Sequence, residues 1–167
     1  MSIEIRQAVR STDAENVWTI LKPAVEAGDT FCADPGGGMA GGLAYFWPTT
    51  ARVWIAGIGG RALGCHYLRP NQTGNGDHVC NAGYCTLPEA RGKGMARAML
   101  EHSLAEARRQ GYRAMQYNFV VATNTRAIDI WTRVGFRTVG RLPRAFRHPE
   151  EGPVDALVMW KDLDGGR

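Results

Sequence analysis

An α/β (α+β) fold, a mixed β-sheet covered by helices rather than a doubly wound one, is what the sequence predicts. Three observations carry it. The periods along the chain run strand, helix, three strands, helix, strand, helix, two strands; the three consecutive strands are joined only by turns; and glycines close the two later helical stretches where C-terminal caps belong.

Each element has its own signal. Ile3 and Ile5 open an apolar/polar alternation that runs to Val9, a first strand. Thr12 with Glu15 fits a capping box that opens a helix through Ala27. Residues Gly36 to Gly42, five of them glycine, read as a flexible loop open to ordering by substrate or by a partner subunit; without a following Lys-Ser/Thr they are no Walker loop. Val53 to Ile58 and Ala62 to Leu68 flank Gly59-Gly60-Arg61 as a hairpin, and a turn over Asn71 to Asp77 leads into a strand from His78 to Thr86. The period then changes. Ala96, Met99, Leu100, Leu104 and Ala107 recur at helical spacing from Met95, with Gly111 as the cap. Ala114 to Val121 is a strand that places Met115, Tyr117, Phe119 and Val121 on one face and Gln116 and Asn118 on the other. Ala127, Ile130, Trp131 and Val134 form the stripe of another helix, closed by Gly135, and strands at Arg137 to Leu142 and Val154 to Trp160 finish the chain.

With 167 residues, 44% of them hydrophobic, the chain suits one domain over 1–167. The net charge of +4 fits a polyphosphate ligand, and with no Lys/Arg-dense run interleaved with aromatics nucleic acid is not expected as a partner. Charges at Glu4, Arg6 and Arg10 argue against a secretory leader, and no stretch is long and apolar enough to span a bilayer, so no membrane partner and a cytoplasmic location are expected. Cys32, Cys65, Cys80 and Cys85 include no Cys-x-x-Cys pair, and alternation sends Cys80 and Cys85 to opposite faces, so buried free thiols are expected and no metal.

The most informative segment is Arg91-Gly92-Lys93-Gly94-Met95-Ala96, between a strand and the start of an amphipathic helix. Glycines there can aim several unpaired N–H groups at one point, where the helix dipole is already positive and Arg91 and Lys93 add charge, which makes an anion site. The segment resembles the Arg/Gln-x-x-Gly-x-Gly/Ala motif of the GNAT superfamily of acetyltransferases, in which that turn grips the pyrophosphate of acetyl-CoA. The resemblance implies a mostly antiparallel sheet of about six to seven strands with helices on both faces, splayed between the fourth and fifth, and a cofactor-binding core over about 78–136. It implies acetyl-CoA as cofactor, with the pantetheine arm pairing with strand backbone at Cys85 and Thr86.

Asn124, Ala127, Trp131, Gly135 and Phe136 match the family pattern Asn-x-x-Ala-x-x-x-Tyr-x-x-x-Gly-Phe. One departure matters: Trp131 stands where many members carry the tyrosine that protonates the departing thiolate, and an indole N–H cannot serve as that acid. The run from Gly140 to Pro149 with Gly152 to Asp155 is similar to the tail of the fungal azetidine-2-carboxylate (proline-analogue) N-acetyltransferases. That resemblance implies a small-molecule amine acceptor held by Asn81 and Asn118, catalytic help from the Asn124 amide, and a homodimer. Bland readings stand beside these: Asn81 and Asn118 could belong to an internal amide network, and Asn124 could be only an N-cap. Direct attack by the amine is expected, with a backbone N–H near Thr86 meeting the developing negative charge; Cys85 has no legible His or Asp partner to make it a nucleophile. The strand before the turn lacks a carboxylate base, which leaves water with His66, His78 or Tyr84. A protein acetyltransferase, an acyl-CoA sensor and a DNA-binding domain are the competing readings.

Overall fold

The computed structural model describes residues 2–165; the two ends of the single domain expected over 1–167 lie outside them. The strands are β1 (Glu4–Gln7), β2 (Arg52–Ile58), β3 (Arg61–Pro70), β4 (Val79–Thr86), β5 (Ala114–Val121), β6 (Arg137–His148) and β7 (Gly152–Asp162). The helices are α1 (Arg10–Ala27), α2 (Gly38–Phe46), α3 (Met95–Arg109) and α4 (Thr125–Arg133). All seven strands form one sheet in the order β1-β2-β3-β4-β5-β7-β6. Every pairing is antiparallel except β4 with β5, which is parallel and confined to Val79↔Ala114 and Cys80↔Met115. Beyond those two pairs the strands part, so the sheet is open between its fourth and fifth strands, as expected.

Alternation along β4 separates the helices. The Cys85 Sγ donates to the Ile20 carbonyl of α1 at 3.4 Å, while the Tyr84 hydroxyl meets Ser103 of α3 at 2.7 Å, so α1 and α3 cover opposite faces. Phe46 of α2 meets Tyr67 edge-on at 4.9 Å on the α1 side, and Trp131 of α4 packs on Tyr117 at 4.7 Å on the α3 side. One core gathers Val17, Ile20, Leu21 and Phe46 under α1 and α2; the other gathers Leu100, Leu104, Met115 and Met159 under α3. Gly64 lets α3 sit close to β3, since a Cβ there would lie 3.0 Å from Met99 Cε and 3.1 Å from Met95 Cγ.

Four sequence expectations need correction. The capping box of Thr12 and Glu15 does not form: α1 begins at Arg10, and buried Asp13 accepts the Val9 N–H at 2.8 Å while Arg6 grips it at 2.6 and 2.8 Å. That bidentate grip holds the Asp13 carboxyl well below the usual carboxylate range. The glycine run 36–42 is not a loop. Pro35–Gly37 is a 3-10 turn capped by Asp34, and Gly38 starts α2, with Gly42 so close to Trp18 that a Cβ would come within 2.4 Å of its ring. Glycine costs about 1 kcal/mol against alanine in a helix, and here close packing and burial of Leu43 and Phe46 outweigh it.

The alternation of β5 breaks at a bulge between Tyr117 and Val120, so Val120 takes the buried position and half-buried Phe119 leans toward Phe146 at 6.2 Å. The last hairpin is longer than its sequence signal because a second irregularity between Leu142 and Phe146 absorbs Pro143. Arg144 in that bulge has φ 53, and its N–H is held by Asp155 at 2.9 Å.

Candidate active site

The turn before α3 is built to leave N–H groups bare. Arg91 and Lys93 spend their amides inside the turn, on the Pro88 and Ala90 carbonyls at 3.1 and 3.2 Å, and the first helical bond runs from Ala98 to Gly94 at 3.0 Å. The amides of Gly92, Gly94, Met95, Ala96 and Arg97 therefore have no protein partner among the described residues. Gly92 and Gly94 hold φ 78 and 76, the left-handed region, and a Cβ at either would point into open space. The Met95 side chain is buried at 1% exposure beneath the turn, so this residue can offer a ligand only its backbone.

That row of amides opens on a cleft of about 920 Å³ which passes between β4 and β5. Leu87 N–H bonds to Leu63 O and Val79 O accepts from Asn71, so odd-numbered residues of β4 address β3 and their neighbours address the gap. The backbone groups of Ala82, Tyr84 and Thr86 consequently face β5 across the splay, where no ladder engages them.

Of the residues selected from sequence, Asn81, Cys85, Thr86, Arg91, Gly92, Gly94, Met95, Ala96, Asn118, Asn124 and Trp131 all line this cleft, and Lys93 does not. Asn124 occupies the N-cap position of α4, yet its side chain makes no capping bond, so its amide is uncommitted among the described residues. Asn81 is heavily committed: its Oδ1 takes the Tyr67 hydroxyl at 2.9 Å and Arg69 Nε at 3.4 Å, and its Nδ2 donates to the Gln116 carbonyl at 2.9 Å. Asn118 accepts from Gln116 Nε2 at 2.9 Å. Burial pushes the Cys85 thiol up to about 12, and with the Ile20 carbonyl as its partner it has no base beside it. Of the four thiols Cys65, Cys80 and Cys85 are buried; Cys32, expected to be buried too, is exposed on the cleft wall.

The cleft also takes in Phe31, Tyr45, Tyr67 and Arg69, none of which was singled out from sequence. Arg69 lies one residue past the strand end read from the pattern, next to Pro70, and only the β3–β4 register brings it opposite Asn81. Tyr67 faces Gly83 in that register, and a Cβ at Gly83 would fall 2.4 Å from the tyrosine Cε1, so the glycine lets the ring cross β4 and reach Asn81.

The three residues considered for proton handling separate. Tyr84 lines the cleft, its hydroxyl bonded to Ser103 at 2.7 Å and Tyr117 at 2.9 Å, and burial raises its pKa. His78 borders a separate surface depression with Trp160. His66 is fully buried, stacked on Trp54 at 5.2 Å with Nε2 3.1 Å from His102 Nδ1, and its Nδ1 has no partner among the described residues. Burial first, then His102, pulls His66 down to about 3, against a weaker opposing effect of Glu106. Because the folded value lies below the ordinary 6.5, the stability of the neutral form is complete above that pH and is lost as pH falls toward 3. The loss approaches about 1.4 kcal/mol per pH unit. The urea midpoint is expected to fall between pH 6.5 and 5, a window mostly above carboxylate titration, and His66→Phe to flatten that slope; an unchanged slope in the variant would place the acid sensitivity elsewhere.

The sequence profile of the acetyltransferase (GNAT) family matches residues 25–136. A GCN5-related N-acetyltransferase from Kribbella flavida superimposes with a TM-score of 0.88 at 34% identity, over 96% of this chain and 97% of that one. A phosphinothricin acetyltransferase (Pat) from Sinorhizobium meliloti, solved in complex with acetyl-CoA, shares the fold at a TM-score of 0.79 and 20% identity, over 98% of this chain and 89% of that one. N-acetyltransferase aca1 of Schizosaccharomyces pombe is 37% identical over 97 residues, which are 58% of this chain and 46% of aca1, so the chain spans less than half of that relative. The bare amides ahead of α3, the splayed parallel strands and the matched profile agree: the chain belongs to the acetyltransferase (GNAT) family.

Proposed function

We propose that the protein transfers an acetyl group from acetyl-CoA to the amine of a small molecule, an amino or imino acid. The observation that carries this reading is the set of five amides at the head of α3 that have no partner among the described residues, opening onto strands whose backbone is bare across the splay. These features fit the cofactor: Gly92, Gly94, Met95, Ala96 and Arg97 would hold its diphosphate, Arg91 adds charge there, and the β4 backbone at Tyr84 and Thr86 would hold the pantetheine arm. Bound there, acetyl-CoA supplies an activated acetyl group. The acceptor side draws on the resemblance to the azetidine-2-carboxylate acetyltransferases, whose asparagines match Asn81, Asn118 and Asn124.

The chain's own chemistry favours direct transfer. A Cys85 thiol near 12 is almost wholly protonated at neutral pH and is turned toward α1, so it is no nucleophile. Thr86 N–H and the uncommitted Asn124 amide, both on the cleft wall, would be the donors that meet negative charge as it develops, each typically worth about 3 kcal/mol when well aimed. The test mixes purified protein with acetyl-CoA and panels of free amino acids, polyamines and peptides, and follows thiol release. Release is expected only with an amine present, and with small amines; activity on peptides alone would make this a protein acetyltransferase, and tight CoA binding without turnover on any panel would make it a sensor.

A further inference from the structure

Arg69 is the one arginine among the described residues that is not exposed. Eight of the exposed arginines pair with a carboxylate and the other exposed ones stand in solvent, whereas Arg69 is half-buried on the cleft wall and pairs with none among the described residues. It is nonetheless held in place. Its guanidinium lies over the Tyr67 ring at 5.1 Å, and its Nε donates to Asn81 Oδ1 at 3.4 Å. The support is itself built: Gly83 makes room for Tyr67, whose hydroxyl takes the same Asn81 oxygen at 2.9 Å, and Asn81 is anchored to the Gln116 carbonyl. Neither Nη group, the pair that grips a carboxylate in fork geometry, forms a hydrogen bond among the described residues.

The donors beside it point the same way. Asn118 has its oxygen occupied by Gln116, which leaves its amide hydrogens to offer. A wall that presents donors and fixed positive charge is complementary to an anion, and among the described residues Asp29, the one carboxylate lining the cleft, forms no ion pair. This wall lies on the α1 and α2 side of the sheet, whereas the diphosphate seat heads α3 on the other face, so the cofactor's phosphates do not account for it.

We propose that Arg69 is the specificity-determining residue for the acceptor, binding a free carboxylate on the amine that is acetylated, and that Asn81 acts as its positioning residue rather than as a direct ligand. The inference rests on the acetyl-transfer reading above for what the cleft binds. The acceptor class is then an amino or imino acid with its carboxylate unmodified; amides, esters and simple alkylamines leave the guanidinium desolvated and unpaired.

The experiment compares wild type, Arg69→Gln and Arg69→Lys on the protein amino acids and azetidine-2-carboxylic acid, each beside its primary carboxamide. Calorimetric titration of the same acids into CoA-loaded protein gives a readout independent of turnover. The wild type is expected to prefer each accepted acid over its amide by about 100-fold in kcat/KM. Arg69→Gln should raise KM for the acid roughly 30- to 300-fold with kcat little changed and the amide unaffected, while Arg69→Lys recovers part of the loss. CoA affinity and melting temperature should match wild type in both variants. Equal use of acids and amides by the wild type, or an equal loss on both in Arg69→Gln, would overturn the inference and leave acetyl transfer standing. Acids that bind CoA-loaded wild type but not Arg69→Gln, with no amine acetylated, would overturn the transferase reading and leave the carboxylate site standing; no turnover and no binding of acids would overturn both.

Discussion

Replacing Gly94 with valine is expected to raise the dissociation constant for CoA by about two orders of magnitude or more while leaving the fold intact. Two effects of the substitution have to be weighed. Gly94 has φ 76, and a β-branched residue in the left-handed region costs about 1 to 2 kcal/mol of stability. Among the described residues no neighbouring atom lies within 4 Å of the added Cβ, so nothing has to move aside to add to that cost. The new side chain would instead occupy the space onto which the amides of Gly92, Gly94, Met95, Ala96 and Arg97 open. Displacing a diphosphate from two of those charge-assisted bonds costs about 3 to 6 kcal/mol, more than the strain. Gly111, at the other end of α3, has φ 85 and equally open surroundings, so Gly111→Val carries the same strain without touching the turn. Calorimetry should find CoA affinity lost in Gly94→Val and kept in Gly111→Val, with similar melting temperatures. Unaltered affinity in Gly94→Val would remove the diphosphate seat and with it the acetyl-transfer reading.

The turn was legible in sequence because its chemistry is local: a strand, two glycines and a helix start, all within a few residues, determine where the amides point. The strand that supplies Asn81, Cys85 and Thr86 and the helix that begins after Asn124 were legible for the same reason, each following from its own period. What escaped was set by contacts distant in the chain. The glycines at 36–42 carry a loop signature, and only the approach of Trp18 to Gly42 turns them into a helix. The bulge that moves Phe119 off the buried face depends on how β7 pairs with β5, which no pattern inside β5 reports. Arg69 reads as an ordinary strand-end charge before a proline until the β3–β4 register places it beside Asn81 and Tyr67. This cleft wall was therefore half visible: its asparagines stood out as polar residues in apolar strands, whereas the aromatic and the cation that organise them did not.

Asn124→Ala is expected to lower kcat by about 100-fold, with CoA affinity and melting temperature near wild type. The N-cap position makes this residue ambiguous, since an asparagine that caps a helix typically contributes about 1 kcal/mol to stability and its loss could damage the site indirectly. Among the described residues no side-chain capping bond forms at Asn124, and the residue lines the cleft with Trp131. Alanine should thus leave α4 in place, held by the packing of Trp131 on Tyr117 at 4.7 Å. The lost amide, if aimed at charge that develops during transfer, is worth about 3 kcal/mol. Asn124→Asp sharpens the comparison: an aspartate is as good a helix cap, and its charge suits the N-terminus of α4, but it offers no N–H. An aspartate variant as stable as wild type and as slow as the alanine variant would identify the amide donor as the functional group. Full activity in either variant would strip Asn124 of its catalytic role, and equal losses of stability and turnover in alanine with recovery of both in aspartate would return it to helix capping.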